Sequence, residues 1–251
     1  MAGKAIIVTG AGGGLGSQTV AALAARGARV LAVDLDLDAA TRVAEAAGGE
    51  VVPHAADCAD GPAVAAMVAA AVERFGRLDG LFNNAAIEGP IATIEEYDED
   101  EFDRVMRVNS RSVWLGMKHG LPALRASGGG SVVNTASTGG MMGWPAISGY
   151  VASKHAVVGM TRAVALENAG KGISVNCLCP GPMDTRMIWS IGEAMAPGDR
   201  TEQQRLLEAT IPVGRLGRPE EVARFATFLL LDCPEYLTGA VLPIDGAQTA
   251  G

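Results

Sequence analysis

Short apolar runs typical of buried β-strands alternate along the chain with longer, alanine-rich stretches whose apolar residues recur at helical spacing. Several short runs are continuous in Val, Ile, Leu and Ala, as expected of strands covered on both faces. This alternation predicts an α/β fold with a parallel, doubly wound sheet and helices on both faces. The predicted strands are Lys4 to Thr9, Arg29 to Asp34, Glu50 to Ala55, Leu78 to Asn83, Ser131 to Ser137, Ile173 to Cys179 and Ala240 to Ile244, and predicted helices include Leu15 to Arg26 and Ala63 to Phe75.

The length of the chain fits one domain. Its 251 residues are 49% hydrophobic, enough to fill one α/β core, so we predict a single domain over residues 1–251. The region from Gly181 to Pro212 lacks a β-type run, is rich in Met, Pro and Gly, and contains one helix-compatible stretch near Thr201 to Ala209. A loop of that length is usually functional or disordered. We predict that residues 182–212 form a lid over a site.

The charge balance excludes some classes of partner. The formal net charge of −8 creates a field that repels nucleic-acid phosphates and acidic membrane surfaces, and no run of Lys or Arg interrupts it. The first apolar run is too short for a signal peptide, and no stretch approaches the length of a membrane span. We therefore expect a cytoplasmic protein that binds neither nucleic acid nor membranes.

Four cysteines are few for this length, and only Cys177 and Cys179 are close together. No second pair and no nearby His completes a metal-ligand set. We expect no metal site and interpret the cysteines as reduced thiols that pack like small hydrophobic residues.

A glycine-rich turn follows the first predicted strand directly and precedes a helix. Glycines allow a tight turn and close approach of a pyrophosphate, while the helix N-terminus offers N–H donors to anionic oxygens. The spacing does not match the G-x-G-x-x-G fingerprint literally, and no Gly-Lys-Ser/Thr ending indicates an ATP-binding loop. A tight strand-to-helix turn without a ligand is the alternative. The residues concerned are Gly10, Gly12, Gly13, Gly14, Leu15 and Gly16.

Asp34 ends the second predicted strand, 24 residues after Gly10. A carboxylate there can accept hydrogen bonds from adenosine ribose hydroxyls and would repel a 2′-phosphate. No Lys or Arg lies between Thr9 and Ala25, and Leu35 follows the aspartate. The pattern favours NAD over NADP, with a solvated aspartate at a strand end as the alternative.

Ser137, Tyr150 and Lys154 are spaced 13 and four positions apart. This arrangement resembles the Ser, Tyr-x-x-x-Lys pattern of the short-chain dehydrogenase/reductase family. The resemblance covers nearly the whole chain and implies a single Rossmann-like domain with about seven strands in the order 3-2-1-4-5-6-7. It also implies assembly as a homotetramer. The further residues that carry it, in family order, are Thr9 to Gly16, Asp34, Asp57, Asn83-Asn84-Ala85, Asn109 and Pro180-Gly181.

The Tyr–Lys spacing also has a chemical meaning. Residues at i and i+4 share one helix face, so the Lys154 ammonium can stabilise a Tyr150 phenolate and lower its pKa. Tyr150 then serves as general base toward an alcohol or general acid toward a ketone. We expect Ser137, placed at the end of its strand, to orient the substrate oxygen. Read singly, each of these residues could instead be an ordinary surface or packing residue.

The resemblance implies further cofactor contacts. Lys154 would also bind the nicotinamide ribose, and Asn109 would help hold a water chain leading from Lys154 to solvent. The family's usual Asn-Asn-Ala-Gly ends here in Ala86, whose methyl group could narrow the wall near the cofactor. The remaining expected cofactor residues are Leu35, Asp57, Cys58, Asn84, Ala85, Ala86, Pro180, Gly181, Met183 and Thr185.

Met and Trp side chains cluster in the two segments expected to face the substrate, one after Ser137 and one in the predicted lid. They suit an adaptable apolar pocket, although core packing is an alternative for each. We expect an apolar, cyclic or aryl secondary alcohol or its ketone. The alternatives are a 3-oxoacyl-(acyl-carrier-protein) reductase, a nucleotide-binding protein without turnover, and an isomerase, dehydratase or epimerase with bound NAD. The expected substrate residues are Ser137, Gly139, Met142, Trp144, Tyr150, Met187 and Trp189.

Overall fold

The computed structural model describes residues 3–250 and contains a seven-stranded parallel sheet in the order β3-β2-β1-β4-β5-β6-β7. The predicted fold and strand order are therefore confirmed. Because the order reverses beside β1, a crevice opens between β1 and β4 at the carboxyl edge of the sheet, where ligands bind in such folds. The strands are β1 (Ala5–Thr9), β2 (Arg29–Asp34), β3 (Val51–Ala55), β4 (Gly80–Asn83), β5 (Gly130–Thr135), β6 (Ile173–Pro180) and β7 (Val241–Ile244).

Helices connect the strands and cover both faces of the sheet. A π-helical turn, Arg107–Arg111, joins α4 to α5, and a short 3₁₀ turn, Thr138–Gly140, follows β5. The α-helices are α1 (Gly14–Ala25), α2 (Leu37–Ala47), α3 (Gly61–Phe75), α4 (Glu99–Met106), α5 (Ser112–Ala126), α6 (Ser148–Asn168), α7 (Arg186–Met195), α8 (Arg200–Glu208) and α9 (Pro219–Leu231).

The strands divide the core into two layers because neighbouring side chains on a strand point to opposite faces. In β1, Ile7 packs with α3, α5 and α6, whereas Ile6 and Val8 pack with α1 and α9. All five residues of β1 are buried, which explains why this strand is a continuous apolar run. Cys177 and Cys179 are free thiols buried in the layer that contains Ile7, as predicted.

Most predicted boundaries lie within two residues of those observed, and two differences matter for function. Strand β5 ends at Thr135, so the prediction that Ser137 ends this strand is wrong: Ser137 caps the following 3₁₀ turn. Helix α7 was not predicted, because its sequence mixes Met, Trp, Gly and Ser without a strong helical signal. Both segments lie beside the carboxyl edge of the sheet.

Among the helices formed by residues 3–250, none combines the length and the hydropathy that crossing a bilayer requires.

Candidate functional site

The glycine-rich turn passes close to the loop after β4. Gly10 has a φ of +64°, which favours glycine, and a Cβ there would lie 2.9 Å from the Cα of Ala85. A Cβ on Gly16 would overlap the carbonyl oxygen of Gly10. Both positions therefore need glycine, and the turn forms a cradle that a side chain at either position would disrupt.

The N-terminus of α1 points into this cradle. Helix α1 begins after Gly13, and no side chain within residues 3–250 caps it, whereas the Asp60 carboxylate caps α3. The first N–H groups of a helix lack partners within that helix, and the helix dipole favours anions there. The side chain of Leu15, which we expected near a cofactor, is buried in the core, so this residue can offer only backbone groups.

Thr9 and Asn84 tie the glycine turn to the end of β4. The Thr9 hydroxyl accepts hydrogen bonds from the backbone N–H groups of Asn84, at 2.9 Å, and Ala85, at 3.2 Å. The Asn84 side-chain amide donates to the Thr9 carbonyl at 3.0 Å. The crevice between β1 and β4 thus has a fixed width. Ala86, the departure from the family pattern, follows on this wall and is half-buried.

Asp34 lies at the open end of β2 beside the turn. Its carboxylate accepts hydrogen bonds from the backbone N–H of Gly12 at 2.8 Å and of Asp36 at 3.2 Å. The next residue, Leu35, is 76% exposed. The structure therefore places a carboxylate and an apolar side chain next to each other at the mouth of the crevice.

Asp57 and Cys58, two of the expected cofactor residues, lie near Asp34. Burial, followed by the negative charges of Asp57 and Asp34, raises the pKa of the Cys58 thiol to about 12. The Asp57 carboxylate also accepts a hydrogen bond from Arg107 at 2.6 Å. Cys58 is thus a neutral, half-buried thiol suited to packing rather than to nucleophilic chemistry.

The segment after β6 crosses in front of the glycine turn. A Cβ on Gly14 would lie 2.9 Å from Cγ2 of Thr185, so these two residues face each other. Pro180 ends β6, and the N–H of Gly181 donates to the carbonyl of Ile244 at 3.1 Å. Met183 packs against the core layer that contains Ile6 and Val8. The glycine turn and the segment after β6 therefore face each other across one crevice.

Ser137, Tyr150 and Trp144 surround Gly139 beside this crevice. A Cβ on Gly139 would lie 3.5 Å from Cε1 of Tyr150, 3.6 Å from the Ser137 hydroxyl oxygen and 3.6 Å from Cδ1 of Trp144. The Ser137 hydroxyl accepts a hydrogen bond from the Gly139 N–H at 3.1 Å. A serine hydroxyl, a phenol and an indole thus meet around one small residue.

Lys154 lies one turn after Tyr150 on α6 and is only 2% exposed. Its ammonium donates a hydrogen bond of 2.9 Å to the carbonyl of Thr135, the last residue of β5, and lies 5.5 Å from the centroid of the Tyr150 ring. The predicted sharing of a helix face by Tyr150 and Lys154 is observed. Sequence reasoning missed Thr135, because a backbone acceptor at a strand end leaves no signal in side-chain chemistry.

Burial dominates the ionisation of this pair. It raises the pKa of Tyr150 to about 12, although a hydrogen bond with Ser137 acts in the opposite direction. It lowers the pKa of Lys154 to about 8. The expectation that Lys154 brings the pKa of Tyr150 below its ordinary value of about 10 is wrong for the protein chain by itself, because loss of hydration on burial is the largest influence on the phenol.

Asn109 is completely buried in the π-helical turn and holds the loop after β4. Its side chain accepts from the N–H of Ile87 at 2.8 Å and donates to the carbonyl of Ile87 at 2.9 Å and to the hydroxyl of Ser153 at 3.1 Å. Ser153 in turn donates to the carbonyl of Tyr150 at 2.7 Å. Asn109 therefore links the loop to α6. The π turn is typical of helices interrupted at functional sites.

The expected substrate residues of the lid lie on α7. Trp189 donates to the Asp184 carboxylate at 2.7 Å and packs with Ile188 against Leu207, Ile211 and Leu216. Met187 is half-buried, and Met142, after the 3₁₀ turn, is 36% exposed. Trp189 therefore packs partly in an apolar cluster, in line with the core-packing alternative, whereas Met142 and Met187 keep solvent-accessible surface.

The chain matches a family model described as "Enoyl-(Acyl carrier protein) reductase" over residues 10–249. The chain belongs to the short-chain dehydrogenase/reductase family. It is by that membership an oxidoreductase, and the resemblance inferred from Ser137, Tyr150 and Lys154 is confirmed at the level of the family.

The relatives of the chain include enzymes that act on ring compounds. The chain is 42% identical to cyclohexanol dehydrogenase of Acinetobacter sp. (strain SE19), covering 98% of this chain and 95% of that one. It is 36% identical to a 3-oxoacyl-(acyl-carrier-protein) reductase of Thermotoga maritima, with 97% of each covered. The crystal structure of a levodione reductase matches with a TM-score of 0.96 at 39% identity, covering 100% of this chain and 99% of that one.

The buried Lys154 predicts a pH-dependent contribution to stability. Its pKa is lower in the folded chain, at about 8, than in the unfolded chain, at about 10.4, so between these values the unfolded state binds more protons and raising the pH favours folding. We expect the free energy of unfolding of wild type, relative to Lys154→Met, to increase by about 1–3 kcal/mol from pH 8 to pH 10.

Urea unfolding of both proteins at the two pH values measures this difference. Lys171→Met, at an exposed lysine just after α6, is the matched control for removing a lysine charge. If the free energy of unfolding of wild type relative to Lys154→Met stays constant or decreases from pH 8 to pH 10, the lowered pKa of Lys154 is refuted.

Proposed function

We propose that the protein is an NAD-dependent dehydrogenase that interconverts an apolar, cyclic secondary alcohol and its ketone, with Tyr150 as the proton-transferring group. The observation that carries the proposal is the meeting of Ser137, Tyr150 and Lys154 near the end of β5, whose last residue, Thr135, contacts Asn84 beside the glycine turn. A proton-transfer group and an anion cradle in one crevice are what nicotinamide-linked oxidation of an alcohol requires.

The residues of the crevice fit a nicotinamide dinucleotide. The glycine turn and the free N–H groups of α1 suit a pyrophosphate, Asp34 suits ribose hydroxyls, and exposed Leu35 suits the face of an adenine ring. The bound cofactor would supply the hydride acceptor. We propose that Asp57, Cys58, Asn84, Ala85, Ala86, Pro180, Gly181, Met183 and Thr185 complete this wall.

The chain supplies orientation and proton transfer. Ser137 donates a hydrogen bond to the substrate oxygen and orients it, and Tyr150 takes the proton of the alcohol as its C–H bond is broken. Lys154 stabilises the resulting phenolate by its charge, since a cation favours the ionised form of a neighbouring phenol. In the reverse direction Tyr150 returns the proton to the oxygen of the ketone. Asn109 holds the helix that carries this pair by way of Ser153.

Preference for NAD over NADP follows from charge at the end of β2. The Asp34 carboxylate would face a 2′-phosphate, and two negative charges repel each other strongly near a protein surface. Arg42 on α2, which sequence reasoning overlooked, lines the groove between α1 and α2 that reaches Gly12. Its guanidinium lies 4.0 Å from the Asp36 carboxylate, which offsets its charge.

An apolar cyclic substrate is supported by the side chains near Tyr150 and by the compounds for which relatives are named. Trp144 borders Gly139, and Met142 and Met187 provide adaptable apolar surface nearby on the two flanking segments. Relatives at 42% and 39% identity are named for cyclohexanol and for a chlorinated cyclohexadienediol. The 3-oxoacyl-(acyl-carrier-protein) reductase among the relatives keeps that activity as the second candidate.

A rate screen with NAD and NADP tests the activity and the cofactor together. We expect fastest turnover with NAD and cyclohexanol, and a kcat/KM for NAD more than about 100-fold above that for NADP. Asp34→Ser should improve use of NADP at least about ten-fold by removing the repelling charge, and Glu45→Gln, at an exposed carboxylate further along α2, is its control.

Two outcomes would overturn this proposal. Preferential reduction of 3-oxoacyl thioesters with NADPH would favour the second candidate. Tight NADH binding without turnover of any alcohol or ketone would favour a nucleotide-binding protein.

We also propose that the chain assembles as a homotetramer through its long helices. Ala152, Ala156 and Gly159 lie on the outer side of α6, while neighbouring Ser153 points inward and is fully buried. Beside them lies a shallow apolar groove lined by Met106, Trp114 and Met160, in which Trp114 is 47% exposed. An apolar strip of this kind is typical of an interface between subunits.

Light scattering tests this assembly. We expect wild type to have four times the 25.7 kDa mass of one chain, and Trp114→Glu to lower that mass by placing a charge in the interface. Ile94→Glu, at a residue 74% exposed in the loop after β4, is the matched control and should leave the mass unchanged. A wild-type protein with the mass of one chain would refute the tetramer. The cytoplasmic location stays a prediction.

A further inference from the structure

An ion pair joins the start of α7 to the loop after β4. The two guanidinium nitrogens of Arg186 donate to the two carboxylate oxygens of Glu88 at 2.9 and 3.2 Å. The Glu88 side chain is 16% exposed and that of Arg186 is 76% exposed, so the carboxylate is the buried end of the pair. Two parallel hydrogen bonds fix the direction of approach as well as the distance.

The backbone on both sides of Glu88 is anchored to the body of the protein. The residue before it, Ile87, has both its N–H and its carbonyl bound by the buried Asn109 side chain. The residue after it, Gly89, has a φ of +71°, and a Cβ there would lie 2.5 Å from Cγ2 of Val105. Glu88 therefore has little freedom to follow α7 if that helix moves.

Arg186 holds this carboxylate through its two hydrogen bonds, and Ser190 lies four positions further along the same helix face. Burial acts to raise the pKa of Glu88, but these hydrogen bonds and the charge of Arg186 outweigh it, so the pKa lies below its ordinary value. The carboxylate therefore stays charged at neutral pH.

Helix α7 has few other attachments to the body. Only Gly192 of its ten residues is fully buried, and Ile188 and Trp189 pack against the cluster formed by Leu207, Ile211 and Leu216. Within residues 3–250, no other ion pair joins the segment 182–212 to the part of the chain that precedes it. The backbone hydrogen bonds of Pro182 and Asp184 with Gly217 fix the chain just before α7, and the Arg186–Glu88 pair sets the direction in which α7 leaves it.

We propose that Glu88 and Arg186 are positioning residues for the substrate: their ion pair holds α7 against the loop after β4 and so sets where Met187 and Trp189 meet the substrate. This inference rests on the proposed function, because it assigns these α7 side chains to the substrate side of the cleft. Neither residue takes part in proton transfer. Their substitution should change the affinity for the alcohol more than the chemical step.

A double-mutant cycle tests the pair through kinetics. We expect Glu88→Gln and Arg186→Gln each to raise the KM for the alcohol about three- to ten-fold, with kcat within about two-fold of wild type. The double variant should be no worse than the poorer single variant, because either change already breaks the pair. The Kd for NADH should stay within about two-fold of that of wild type.

Arg26→Gln provides the matched control. It breaks the Arg26–Asp232 pair, which also joins an exposed arginine to a mostly buried carboxylate, at 51% and 22% exposure, but between α1 and the end of α9. This variant should keep the wild-type KM. Additive effects of the two single variants on KM, or single variants with an unchanged KM, would overturn the proposal.

Hydrogen exchange of α7 provides a readout that needs no turnover. We expect amides of Arg186–Met195 to exchange faster in Glu88→Gln and in Arg186→Gln than in wild type, while those of α8 change little. If no alcohol is oxidised but α7 still exchanges faster, the proposed function fails and the attachment of α7 stands. If exchange of α7 is unchanged in both variants, the positioning role is refuted.

Discussion

A buried ammonium is the constraint on which the site depends. Lys154 is 2% exposed, and a charge so far from water is costly unless it has a partner. The carbonyl of Thr135 at the end of β5 is one partner, and the Tyr150 ring, 5.5 Å from the ammonium, lies on its other side. Because burial lowers the pKa of the lysine and raises that of the tyrosine, a phenolate and an ammonium formed together offset each other's loss of hydration.

The surrounding structure keeps this pair in place. The β5 strand must end at Thr135 for its last carbonyl to face Lys154, and the 3₁₀ turn that follows presents Ser137 to the same space. From the other side, Asn109 reaches Ser153 on α6 and Ile87 on the loop after β4. The same residues that orient the catalytic helix therefore also fix the loop that carries Glu88.

Much of the fold and of the site could be predicted because the signals were local. Continuous apolar runs marked the strands, and the spacing of Tyr150 and Lys154 placed both on one helix face. What was missed depends on groups that meet only in the folded chain: the Thr135 carbonyl, the Asn109–Ile87 contacts and the Arg186–Glu88 pair, whose partners lie 98 positions apart. The direction of the Tyr150 pKa was wrong because burial cannot be judged from helical spacing alone.

The central claim is that the Tyr150 hydroxyl transfers the proton. It is tested most directly by comparing Tyr150→Phe with wild type in alcohol oxidation, since this change removes one oxygen and leaves the ring. The account predicts a fall in kcat/KM of about 10²–10⁴-fold, with NADH affinity and the unfolding midpoint close to wild type. A Tyr150→Phe protein that binds NADH normally and oxidises alcohol at the wild-type rate would contradict it.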